Sequence, residues 1–200
     1  MDETFQTFTE DSCPSASRFR APEPWINLDC HQGDGVEPDI LVDPEIPLES
    51  FADGSLERVY LGHVLEHIPW PDVEAFLGHV DAKLAEGGEI MVVGPDVFRI
   101  IERWHRGLEP EGWLLVESCL ENPWDRCYGE EGYGYTEGKE PEPTWKHARH
   151  WWNCYETRVV YAISAYTTLT PTPLPITPEA LKGWPVTAFT EWQCAVRGTK

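Results

Sequence analysis

Basic residues are scarce in this 200-residue chain: 15 Lys and Arg stand against 35 Asp and Glu, a formal net charge of −20. A field of that sign repels polyphosphate, so tight binding to exposed DNA or RNA backbone is disfavoured. Local sites for a nucleotide, a basic partner or a small molecule stay open, and in the simplest reading the acidity keeps the protein soluble. No apolar run approaches the roughly 20 residues needed to span a bilayer, and MDETFQTFTEDSCPSASRFR lacks the apolar centre of a secretory signal. None of the six cysteines forms a C-x-x-C, and no Cys/His cluster has zinc-finger spacing. Free thiols in a reducing, cytoplasmic compartment are therefore expected. Glycine is missing altogether from residues 1–24, which are polar with scattered Phe and three prolines. They read as a flexible N-terminal arm.

Periodic structure begins at Trp25. Trp25-Ile26-Asn27-Leu28-Asp29 reads as a short strand ending in an acid, and Asp39-Ile40-Leu41-Val42-Asp43 as a second. Between them His31 to Gly35 is rich in turn residues. Glu57 to Gly62 forms a third strand that runs into His63-Val64-Leu65-Glu66-His67. After Pro69-Trp70-Pro71, Val73, Phe76, Leu77, Val80 and Leu84 keep helical spacing, and Gly87-Gly88 supplies a stop. Glu89 to Val93 reads as a fourth strand, ending at Gly94-Pro95-Asp96, and its apolar run Ile90 to Val93 fits burial on both faces. Val97, Ile100, Ile101 and Trp104 mark another helix. Alternating strands and helices imply a mainly parallel α/β sheet with helical cover, over 25–200 as one domain.

A long insertion is read at about 107–146, with a Gly/Tyr/Glu-rich stretch at 127–135 that is either a closing segment or a solvated loop. Trp151, Tyr155, Val159, Ala162 and Ile163 suggest a helix face. Trp145, Trp151 and Trp152 beside His147 and His150 could line an aromatic pocket, or simply pack. Pro171, Pro173, Pro175 and Pro178 read as a rigid connector, and 184–197 as one or two antiparallel strands.

Four pieces in order carry a resemblance: the W-I-N-x-D strand, the D-x-x-x-D strand, the segment Gly62-His63-Val64-Leu65-Glu66-His67, and Leu84 to Asp96. Together they resemble the class I S-adenosylmethionine-dependent methyltransferases, in particular a small bacterial and phage-type subgroup. The resemblance covers somewhat over a third of the chain and implies a Rossmann-like sheet with S-adenosylmethionine across the carboxyl ends of its strands. Asp29 would accept from the ribose hydroxyls, Asp43 would lie near the adenine amine, and Gly62 and His63 would flank the methionine moiety. Gly62 would let a ligand approach the backbone closely. That family normally begins with a further strand and a glycine-rich turn, which residues 1–24 do not display, so the fold is expected to be N-terminally truncated. A rival alignment makes 25–29 the first strand and Gly33-Asp34-Gly35 a degenerate turn, but leaves too little chain before Asp43 for a helix and a strand.

His63 and His67, with Glu66 between them, are candidate general bases. They could also be a metal pair, but the H-E-x-x-H order and a third ligand are missing, so no metal is expected. Packing at the turn is the alternative for the histidines, and turn capping for Asp29 and Asp43. Two functions follow. One is methyl transfer to an unidentified small-molecule or protein acceptor. The other is a methyltransferase-like binding protein without turnover, whose site a partner might complete. A weaker third is an acidic nucleic-acid mimic.

Overall fold

A computed structural model of the chain describes residues 4–8, 24–29, 38–42, 48–108, 154–186, 189 and 191–200, the first segment and Asp29 as backbone only. Seven strands form one sheet: β1 Thr4–Phe8, β2 Trp25–Asp29, β3 Ile40–Leu41, β4 Leu56–Gly62, β5 Leu84–Pro95, β6 Thr170–Leu174 and β7 Gln193–Thr199. Their spatial order is β3-β2-β1-β4-β5-β7-β6. β3, β2, β1, β4 and β5 run parallel, and β7 pairs antiparallel with both β5 and β6. The mainly parallel α/β sheet with an antiparallel C-terminal strand is as expected.

The truncation is not. Thr4–Phe8 is a strand in the middle of the sheet, with Thr4 to Thr7 in register with Trp25 to Leu28, and Thr4 to Phe8 with Arg58 to Gly62. The first strand is therefore present, and these five residues are not an arm. The sequence conceals it because Thr-Phe-Gln-Thr-Phe has no apolar run, whereas interior parallel strands usually do. Its Thr and Phe are nevertheless strand formers. The rest of 1–24 apart from Pro24, most of the 107–146 insertion, Asp43, His147, His150 and Trp145, Trp151 and Trp152 lie outside the described residues.

Three helices are described: α1 Trp70–Lys83, α2 Val97–His105 and α3 Glu156–Tyr166. α1 starts with Pro69 as N-cap and Pro71 in its first turn, where a missing N–H costs nothing. It ends at Lys83, so Gly87 and Gly88 fall inside β5 rather than at a helix stop. Gly87 has φ +74°, and the β4–β5 register shifts between Leu56 and Arg58. α1 buries Val73, Phe76, Leu77 and Val80. α3 buries Val159, Ala162 and Ile163. Both pack with Val59, Leu61, Ile90, Val92, Cys194 and Val196 on one sheet face. On the other face Trp25, Tyr60, Met91, Val93 and Ala195 pack against Leu181, Val186, Trp184 and Ile176.

Buried Asp81 of α1 accepts from Thr168 N at 2.8 Å and Thr168 Oγ1 at 2.9 Å, tying the helix to the segment after α3. The proline-rich connector is instead partly an edge strand: Pro171 and Pro173 pair with Gly198 and Val196. Prolines two apart turn their missing donors to one side, which at an edge can be the open one. They also blunt that edge against further pairing. Of the 184–197 segment, the single strand β7 is described. No helix among the described residues is long and apolar enough to cross a membrane.

Candidate functional site

The chain lays β1, β2 and β3 successively toward one edge, then returns to place β4 and β5 on the other side of β1. Strand order therefore reverses between β1 and β4, and the crevice outside the carboxyl ends there is where open α/β sheets bind ligands. Phe8 and Gly62 are register partners at this point, and Gly62 also pairs with Val93. Asp29 closes β2, opposite Leu41 of β3. The structure thus brings Asp29, Gly62 and His63 to one sheet edge.

Asn27 explains part of the W-I-N-x-D motif structurally. It is buried, and its backbone N and Nδ2 both donate to Asp39 Oδ2 at 2.9 Å, while Asp39 N donates back to Asn27 O at 2.8 Å. The first acid of D-x-x-x-D is therefore a clamp between β2 and β3, and it fixes the strand that carries Asp29. One carboxylate oxygen, with more than one lone pair, satisfies both donors of the buried Asn27 at once.

A neighbour within the chain already calls for glycine at 62. A Cβ there would stand 2.6 Å from Tyr60 Oη and Cε1, because the Tyr60 ring, two residues back on the same face, leans over it. Burial, with Glu66 nearby, pushes the Tyr60 phenol well above its usual range, so it stays neutral.

His63 carries the turn out of β4. Its φ is +56°, the one left-handed backbone among the described non-glycine residues, a conformation costing on the order of 1 kcal/mol or more. His63 N donates to Val93 O at 2.7 Å, which holds the turn against β5. The ring's Nδ1 lies 3.2 Å from Glu66 Oε1, and its Nε2 lies 2.7 Å from Gln193 Nε2. Trp192 meets the ring edge-on, with centroids 5.9 Å apart. His67 ends the following 3-10 turn, Leu65–His67, and is half-buried. The structure keeps both histidines near the end of β4, and both His63 nitrogens face protein groups. Among the described residues no group of three His, Cys, Asp or Glu could hold a metal ion.

Sequence reasoning missed the groups that surround His63. Glu66 is wholly buried, and its carboxylate lies with Cys154 Sγ over Gly94, whose Cβ would meet them at 3.4 and 3.2 Å. A hydrogen bond with Cys194, and then burial, hold the Cys154 thiol well above its usual range. Both cysteines are free and buried. Asp96 accepts from Phe98 N and Arg99 N at the start of α2 and from Glu156 N at the start of α3. One carboxylate therefore caps two helices. Arg99 adds bonds to Glu156 Oε2 at 2.6 Å and to Gln193 O at 2.7 Å, which binds β7 into the same network. Only Glu66 offered a signal in the sequence, lying between two histidines already singled out. Gln193 had none, 130 residues from His63 at the head of a strand.

No family model matches the sequence, and no curated protein sequence matches it. Solved structures do. An assigned O-methyltransferase from Nostoc punctiforme superposes with a TM-score of 0.50 at 11% identity, over 99% of this chain and 52% of its own. The CurJ carbon methyltransferase gives 0.48 at 12%, over 99% and 48%. A SAM-dependent methyltransferase from Archaeoglobus fulgidus gives 0.42 at 12%, over 100% and 86%. The chain thus spans about half the length of the first two. The likeness to the Nostoc protein establishes the fold, a class I methyltransferase architecture. At such identity it establishes nothing about residues or reaction.

Proposed function

We propose that the chain binds S-adenosylmethionine at the β1/β4 switch point and transfers its methyl group to an acceptor. The observation that carries this reading is the convergence of Asp29, Gly62 and His63 at the carboxyl edge where strand order reverses. A strand-end carboxylate there has the acceptor capacity that a ribose diol needs. When bound, the cofactor supplies an electrophilic methyl on a sulfonium. Asp29 would hold the ribose hydroxyls and the Gly62–His63 peptide would flank the methionine end, and the resemblance would assign the adenine to Asp43, which falls outside the described residues. Catalysis comes chiefly from holding the two reactants in line. His63 or His67 takes a proton only if the acceptor must lose one. For His63 that requires Gln193 to release Nε2, since the amide occupies it at 2.7 Å.

A second reading is a methyltransferase-like binding protein without turnover. Residues 1–24 contain no glycine, so a glycine-rich turn after β1 has to be replaced by other backbone or by a partner. Calorimetric titration with S-adenosylmethionine and S-adenosylhomocysteine separates the two readings. The enzyme reading expects saturable binding that Asp29→Ala weakens by about tenfold or more, the worth of a charge-assisted hydrogen bond. No heat from folded protein at millimolar ligand favours the second reading. Unchanged affinity in Asp29→Ala overturns the placement of the ribose.

A further inference from the structure

We propose that Gln193 and Glu66 are positioning residues that clamp His63 as the neutral, Nδ1-protonated tautomer and so fix the Gly62–His63 peptide at the sheet edge. The proposal deepens the methyltransferase reading and rests on it for the peptide's role toward ligand. The clamp itself can be tested without ligand.

Topology supplies the first part. β7 runs antiparallel to β5, so its first residue, Gln193, arrives beside Pro95 at the carboxyl ends of the parallel strands. A strand parallel to β5 would have placed its last residue there. Gln193 is 4% exposed, and its backbone carbonyl is held by Arg99 at 2.7 Å. Its side chain is thereby delivered to His63 from across the sheet.

Hydrogen-bond polarity supplies the second. Gln193 Nε2 carries only donors, so at 2.7 Å His63 Nε2 must offer a lone pair. On the other side, Nδ1 lies 3.2 Å from Glu66 Oε1, and a proton on the nitrogen that faces a carboxyl oxygen is favoured over a lone pair there. Both neighbours select the same tautomer. The opposite tautomer would set the Nδ1 lone pair against a wholly buried carboxylate and require the amide to turn over. As oriented, the amide leaves Gln193 Oε1 buried with no hydrogen-bond partner among the described residues.

The consequence falls on the backbone. His63 stands at φ +56°, and an L-residue in that region persists only when its surroundings over-determine it. Two polar clamps and the edge of Trp192 do so through the ring. Releasing the ring lets the turn relax and moves the peptide that flanks the proposed ligand.

Long-range nitrogen–proton NMR of the full chain tests the clamp, with the His63 signals identified by their loss in His63→Gln. The expected pattern is a pyrrole-type Nδ1 and a pyridine-type Nε2. Gln193→Glu should put a proton on Nε2, and Gln193→Leu combined with Glu66→Gln, an amide able to donate or accept, should average the two nitrogens. A protonated Nε2 in the unaltered protein, or a pattern unmoved by Gln193→Glu, overturns the clamp. Glu66→Gln is the companion variant, and far-UV dichroism checks that each variant is folded. In parallel, Gln193→Leu should weaken S-adenosylhomocysteine binding about fivefold, the worth of one hydrogen bond. Unchanged affinity in that variant overturns the positioning role. Absence of binding in the unaltered protein, with the tautomer as expected, overturns the methyltransferase reading and the ligand role, and leaves the clamp standing.

Discussion

The two faces of the sheet are covered in different ways. One receives α1 and α3, whose Val73, Phe76, Leu77, Val159 and Ile163 interlock with Val59, Leu61, Ile90 and Val92. The other is met, among the described residues, by the segment from Leu174 to Val186, which carries one aromatic, Trp184, and little regular structure. Helices repeat every 3.6 residues and cover a face with aliphatic side chains at regular intervals. An irregular segment has no such repeat: Leu174, Ile176, Leu181, Val186 and Trp184 meet the strands without interlocking at regular intervals, so the segment can shift to fill a gap. The first face should therefore fail steeply when one aliphatic group is removed, and the second gradually.

The largest expected effect lies on the helical face. Leu77 is fully buried between α1 and the sheet, and Leu77→Ala should cost about 2–5 kcal/mol by urea denaturation. A loss below about 1 kcal/mol would mean that this face can collapse around a cavity, and the contrast between the faces would disappear.

The same contrast governs what could be read in the sequence. α1, α2, β4 and most of β5 were legible because their apolar residues keep a period. β1 was not, because Thr4–Phe8 takes its place from backbone pairing on both sides rather than from an apolar run. β6 was hidden by Pro171 and Pro173, which suggest a connector unless the strand is known to lie at an edge. In the site, the turn at Gly62 and His63 and the acid ending β2 were legible as punctuation after strands. The partners of His63 were not, because Glu66 and Gln193 acquire their roles from a left-handed turn and an antiparallel strand. Neither leaves a local pattern. The demand that Tyr60 places on Gly62 was not legible either, since the ring's lean over residue 62 leaves no trace in the sequence.

That glycine provides the second prediction, at the border of the two faces. Gly62→Ala drives a methyl into the Tyr60 ring, where contacts would be 2.6 Å and the ring is 4% exposed, with little room to withdraw. The expected loss is about 1–3 kcal/mol. Adding Tyr60→Leu should recover part of it, so the double variant is more stable than the sum of the two single losses predicts. Simple additivity in thermal or urea unfolding would show that something other than Tyr60 demands the glycine.

The smallest effect belongs to the irregular face. Trp184 meets Trp25 with ring centroids 5.8 Å apart, and the Arg58 guanidinium lies 5.5 Å from its centroid. Arg58 also reaches Gly183 O at 3.5 Å and Glu89 Oε2 at the same distance, so its charge is shared among exposed partners. An aromatic pair contributes about 0.5–1.5 kcal/mol and an exposed cation–π contact about 0.5–1 kcal/mol. Trp184→Ala should therefore cost about 1–2 kcal/mol, and Trp184→Phe less than half of that. Because Trp184 sits on the outer layer of this face, the loss should appear mainly as faster amide exchange in the strands beneath, at Trp25 of β2 and Tyr60 of β4. Exchange on the α1 and α3 side should stay unchanged. If Val159 and Ile163 in α3 lose protection to the same degree as Trp25, the two faces unfold as one unit, and the irregular cover is as integral to the fold as the helical one.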